Sequence, residues 1–227
     1  TEKILIFFGI LSGLSFLHQN DAIIGDFNSN MILINQNMYP ILTKLGYFNF
    51  RNIEKTSPLR IIPPEFSSNA TNTFSKETDI YSLGIILYSI FSGELVNTTL
   101  PNFPMKFNSN IESLIKKCWE NDPQLRPTSD EIFEWFDANI DLFKSIDQEK
   151  FQEYFQLLYG IPREIYDNLT MTNKKIVRNA SYNDDESAFY AGKSFLFGKK
   201  FFPCNIEIGI SIIQKLNLKE NPNSLYF

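Results

Sequence analysis

The chain has 227 residues, 43% of them apolar, with 22 Phe and 10 Tyr, and carries a net charge of -5. That much core-forming material excludes a disordered chain. A mildly acidic balance without long charge runs argues against a nucleic-acid binder or a basic membrane-surface protein. Cys118 and Cys204 are the only cysteines, too few for a disulfide framework, and they fit a reducing, cytoplasmic setting. The length allows one full domain and a smaller second unit.

The chain opens at Thr1 rather than Met, which leads us to expect residues upstream. Ile4, Phe7, Phe8, Leu11, Leu14 and Leu17 recur at helical spacing and predict an amphipathic core helix. The same run lacks the basic leader and A-x-A-like exit of a signal peptide. After His18 comes a loop, and Met31–Ile34 and Pro40–Thr43 read as a small β-hairpin. Pro58, Pro63 and Pro64 keep residues 45–75 irregular. From Ile80 to Phe91 apolar residues cover every helical face, which predicts a buried central helix. Thr78 is its expected N-cap and Gly93 its stop. It is too short to span a membrane. A helix over Ile111–Glu120 and another from Pro127-Thr128 to Phe136 follow, then a charged helical connector. Asp185–Tyr190 is echoed by Pro222–Phe227, a period of about 37 residues that falls in the range of helical-hairpin repeats.

The motifs in 1–136 resemble the C-terminal lobe of a protein kinase, nearest the tyrosine-kinase-like branch. Cys118-Trp119-Glu120-Asn121-Asp122-Pro123-Gln124-Leu125-Arg126-Pro127-Thr128 looks like C-W-x-x-D-P-x-x-R-P-[ST]. Asp79-Ile80-Tyr81-Ser82-Leu83-Gly84 resembles D-x-[WY]-S-x-G, and Pro58–Glu65 looks like the P-V-[RK]-W-x-A-P-E that ends an activation segment. Gly13–His18 resembles the helix before the catalytic loop. The implied fold is mainly α: a kinase-like C-lobe around a buried central helix with a small hairpin, followed by a helical hairpin repeat. The expected domains are 1–136, a C-lobe without its N-lobe; 137–180, a helical connector; and 181–227, a truncated repeat.

The resemblance implies that Glu65 and Arg126 form a buried ion pair. It also implies that Asp79 accepts backbone N–H bonds from near Ile24 and Gly25. The chemistry is altered in the loop Ile24-Gly25-Asp26-Phe27-Asn28-Ser29-Asn30-Met31, set against H-R-D-L-x-x-x-N. Asp26 matches the base, as a remnant. Met31 stands at the metal-binding Asn position, and a thioether is a poor ligand for a hard cation. Lys44-Leu45-Gly46 stands where D-F-G belongs, so an ammonium replaces a metal-binding carboxylate. Lys44 could pair with Asp26 in place of a cation, or both could be solvated. Gly25 removes the arginine that reads a phosphorylated activation segment, and Thr56 and Ser57 default to unmodified loop residues. No Gly-rich loop or strand Lys occurs in the chain, so neither catalysis nor a cofactor is expected.

The tail resembles a Sel-one-like repeat, a relative of the tetratricopeptide hairpin, through Ala188, Gly192, Phe195, Gly198 and the helix over Glu207–Leu216. It departs at Gly209, where Ala is preferred, and in the loop Lys199–Asn205. The expected role is an interaction scaffold or regulatory docking surface for protein partners, with neither nucleic acid nor membrane. The alternative is a fragment of an active Ser/Thr or Tyr kinase using ATP and magnesium. A gene remnant without function is a third reading. No metal site is expected: His18 ends a helix, and Asp184-Asp185-Glu186 reads as a helix start. The sequons at Asn69, Asn97, Asn168 and Asn179 read as compositional in an Asn-rich chain.

Overall fold

The structure, a computed structural model, describes residues 2–43, 62–67, 73–96, 100–105, 107–143, 147–181, 185–198 and 202–215. It falls into two compact units, Thr1–Ile146 and Asp147–Phe227. The architecture is mainly α, with a two-stranded sheet in the first unit.

At the centre of the first unit lies α3 (Lys76–Ser92), in which no residue is exposed. Its cap is Ser75 rather than Thr78. The Ser75 hydroxyl accepts from Thr78 N–H, and the Thr78 hydroxyl accepts from Ser75 N–H, which closes a capping box. The box therefore starts the helix three residues upstream of the expected cap and puts Asp79 inside the first turn. Gly93 ends it at φ 82°, a left-handed cap that suits glycine.

Helix α1 (Glu2–Gln19) is buried more completely than an amphipathic helix would be: from Ile4 to Gln19 no residue is exposed. Other elements cover its faces. Phe7 meets Phe136 edge-on at 5.3 Å, Phe8 lies 5.9 Å from Phe133, and Leu42 of the hairpin closes over Gly13. Its polar residues are satisfied internally: the Ser12 hydroxyl donates to Phe8 O, and Ser15 and Gln19 both donate to Asp130.

Strands β1 (Ile32–Ile34) and β2 (Pro40–Leu42) pair antiparallel, with Leu33 opposite Ile41. Asn35 Oδ1 accepts from the N–H groups of Asn37 and Tyr39 and shapes the turn. A short helix α2 (Pro64–Ser67) precedes α3, and α4 (Ser109–Cys118) and α5 (Ser129–Ala138) follow it. A Cβ on Gly84 would lie 2.6 Å from Trp119 Nε1 and 2.8 Å from Cys118 Cβ, so α3 and α4 approach this closely only because Gly84 has no side chain. The core continues past α5. A 3-10 turn over Ile140–Phe143 returns Phe143 to stack on Phe136 at 5.6 Å and Phe91 at 6.4 Å.

The second unit holds α6 (Gln148–Tyr159), α7 (Arg163–Asp167), α8 (Met171–Ser181), α9 (Asp185–Phe197) and α10 (Ile206–Lys215). Helix α9 packs against both α8 and α10. At the α9–α10 crossing a Cβ on Gly209 would lie 2.9 Å from Gly192 O, and Gly198 turns the chain at φ 61°. Residues 182–184 and 216–227, the second half of the echo among them, lie outside the described residues. Among the described residues no helix is long and apolar enough to cross a membrane.

Candidate functional site

The loop from Ile24 to Met31 is held from beneath by α3. Asp79, fully buried, accepts Ile24 N–H on Oδ2 at 2.8 Å and Gly25 N–H on Oδ1 at 2.9 Å. Gly25 sits at φ 89°, a conformation that a residue with a side chain adopts only with strain. His18, the sole histidine, lies with Nε2 3.1 Å from Asp79 Oδ2, so the end of α1 meets the same carboxylate. Burial pushes the Asp79 carboxyl above the usual range, and the contacts from His18, Ile24 and Gly25 only partly offset this.

Above this clamp Asp26 is half-buried at the tip of the loop. Phe27 N–H donates to Gly25 O at 2.6 Å, a γ-turn centred on Asp26. Met31 closes the loop with only 2% of its surface exposed, and Thr43 N–H donates to its carbonyl at 2.8 Å. Asn30, one residue earlier, is exposed. The loop therefore buries a thioether, a poor ligand for a hard cation, at the position that the kinase pattern gives to a metal-binding Asn. Among the described residues no group of three His, Cys, Asp or Glu side chains gathers to hold a metal. Lys44, Thr56, Ser57 and residues 58–61 of the activation-segment motif lie outside the described residues, as do Asn69, Asn97 and Asp184.

The structure brings Glu65 and Arg126 together. Arg126 Nη1 and Nη2 donate to Glu65 Oε1 and Oε2, each at 2.7 Å. Arg126 also donates to Glu120 O at 2.9 Å and Glu77 O at 3.0 Å, and its guanidinium lies 4.9 Å from the Tyr81 ring centroid. The bidentate geometry and satisfied donors are what a buried pair needs to offset desolvation. Sequence reasoning missed His18 as a partner of Asp79 and Tyr81 as the platform for Arg126. The signal for both was in the quoted motifs, since His18 ends the helix before the loop and Tyr81 follows Asp79 by two.

A kinase-type catalytic loop pinned by a central-helix carboxylate, together with an ion pair that ties the activation-segment end to the helix junction, agrees with the match of residues 2–136 to the protein kinase domain. The chain belongs to the protein kinase domain family. Among its relatives is serine/threonine-protein kinase STY17 of Arabidopsis thaliana, 24% identical over 154 residues, covering 58% of this chain and 26% of that protein. The RGS domain-containing serine/threonine-protein kinase A of Dictyostelium discoideum is 27% identical over 151 residues, covering 58% of this chain and 13% of that protein. Mitogen-activated protein kinase kinase kinase mom-4 of Caenorhabditis elegans is 29% identical over 149 residues, covering 57% of this chain and 27% of that protein. The chain thus spans about a quarter or less of the length of these kinases.

Proposed function

We propose that this kinase-family chain is a pseudokinase module, nearest the tyrosine-kinase-like branch, that works in the cytoplasm as an interaction scaffold or regulatory docking surface. The observation that carries the reading is Met31, 2% exposed at the position where a metal-binding Asn would stand. Two features of the sequence support it: Lys44 in place of the D-F-G carboxylate, and Gly25 in place of the arginine of H-R-D. Protein partners meet the kinase-like surface and a Sel-one-like repeat in the tail. The close approach of α10 to Gly192 of α9, one of the residues that carry the resemblance, supports that repeat. No cofactor, nucleic acid or membrane is required.

The catalytic alternative is a portion of an ATP- and magnesium-dependent kinase. It draws on Asp26 and on the serine/threonine-kinase names of the relatives. A thermal-shift titration of the full-length natural protein with ATP separates the two. The expected result is no stabilisation that depends on magnesium; a shift of several degrees that appears only with the metal would overturn the proposal.

A further inference from the structure

We infer that Asn28 is a positioning residue that braces the remnant catalytic loop from within, so that the loop keeps its shape without nucleotide or metal. The inference deepens the non-catalytic reading and rests on it for its consequence. One side chain makes both contacts. Asn28 Nδ2 donates to Asp26 O at 2.6 Å, and Asn28 Oδ1 accepts Asn30 N–H at 3.0 Å. The first bond holds the carbonyl of the peptide between Asp26 and Phe27, whose N–H already donates to Gly25 O at 2.6 Å. That peptide plane is therefore fixed at both ends. The second bond caps the 3-10 turn Ser29–Met31 that delivers Met31 to its buried place. With Asp79 below and Thr43 on Met31 O, each segment of the loop is anchored by the protein itself.

The test is amide hydrogen exchange on the full-length protein by NMR, comparing wild type, Asn28→Ala and Asn28→Asp. Losing one hydrogen bond of ordinary strength should speed exchange at Phe27 and Asn30 about tenfold in Asn28→Ala. Amides of α1 and α3 should be unchanged. Asn28→Asp keeps the acceptor for Asn30 N–H but loses the donor to Asp26 O, so it should restore Asn30 and leave Phe27 fast. Unchanged exchange in Asn28→Ala, a uniform acceleration across the core, or an Asn28→Asp protein as fast as Asn28→Ala at Asn30 would each overturn the brace. Slower wild-type loop exchange on adding ATP with magnesium would instead count against the non-catalytic reading, and it reads out separately from the variants.

Discussion

Two parts of the first unit treat polarity in opposite ways. At the Glu65–Arg126 junction a buried carboxylate and guanidinium meet in a bidentate pair, and backbone carbonyls take further donors. In the loop around Asp26, the metal-ligand position holds the buried thioether of Met31, and buried Ile24 and Gly25 stand where H-R-D carries its His and Arg. The difference shows which demands this sequence meets. Contacts that hold the lobe together carry matched charges, while Ile24, Gly25 and Met31 of the loop are buried apolar or small residues. Frame and chemistry depend on different side chains, so each can be altered without the other.

The largest effect should come from stranding one charge of the frame. Glu65→Ala leaves Arg126 buried and charged, and should destabilise the first unit by about 3–5 kcal/mol. Arg126→Ala should cost a similar amount. The pair Glu65→Leu with Arg126→Met should recover most of the loss, since an apolar pair of like volume needs no counter-charge. Both tryptophans, Trp119 and Trp135, lie in the first unit, so urea unfolding followed by their fluorescence reports on that unit alone. Equal losses in the single and double variants would erase the contrast between frame and loop.

Helix α3 joins the two parts, with Glu77 and Tyr81 against Arg126 and Asp79 under the loop, and an Asp79 variant should rank next. Asp79→Asn cannot accept both Ile24 and Gly25 N–H groups in the same geometry, and should cost about 3 kcal/mol. The pH dependence has a definite sign. Burial raises the folded-state pKa above the ordinary 3.8, so the folded state binds this proton more tightly than the unfolded state does. The resulting stabilisation is complete below the unfolded value and is lost as pH rises through the folded one. The advantage of wild type over Asp79→Asn should therefore widen as pH falls from neutral toward 4. A gap that narrows over that range would mean the hydrogen bonds outweigh burial.

The helices α3, α4 and α5 and the β-hairpin were legible in the sequence because each is an apolar or β-prone run bounded by a cap, turn or breaker signal. Asp79, Glu65 and Arg126 were reached through the resemblance of their motifs to a kinase lobe; Asp79 meets Ile24 and Gly25, and Arg126 meets Glu65. What escaped the reading had hidden causes. Ser12 and Ser15 look like a solvent face of α1 in a pattern of apolar and polar letters, yet Ser12 bonds its own backbone and Ser15 meets Asp130. Periodicity cannot distinguish a polar group wetted by water from one satisfied inside. Phe143 lay beyond the last motif, and only the return of the chain shows it to be core. His18 was weighed as a metal ligand, whereas its partner is a carboxylate 61 positions away in sequence.

The smallest effect is the one that touches the chemistry. Met31→Asn writes the kinase residue back into the loop. If Met31 stood in an open, metal-ready position, the change would cost little and could create a ligand. Its side chain is instead 2% exposed, so an amide there must give up water. The expected cost is about 1–2 kcal/mol, below that of either frame variant. Magnesium should recover none of it, because one added oxygen does not make a site for an ion that demands near-octahedral oxygen ligation. Tryptophan-detected unfolding with and without magnesium reads both quantities in one experiment. A variant as stable as wild type, or one that magnesium stabilises, would mean that the loop holds a metal site and would count against the proposed non-catalytic reading.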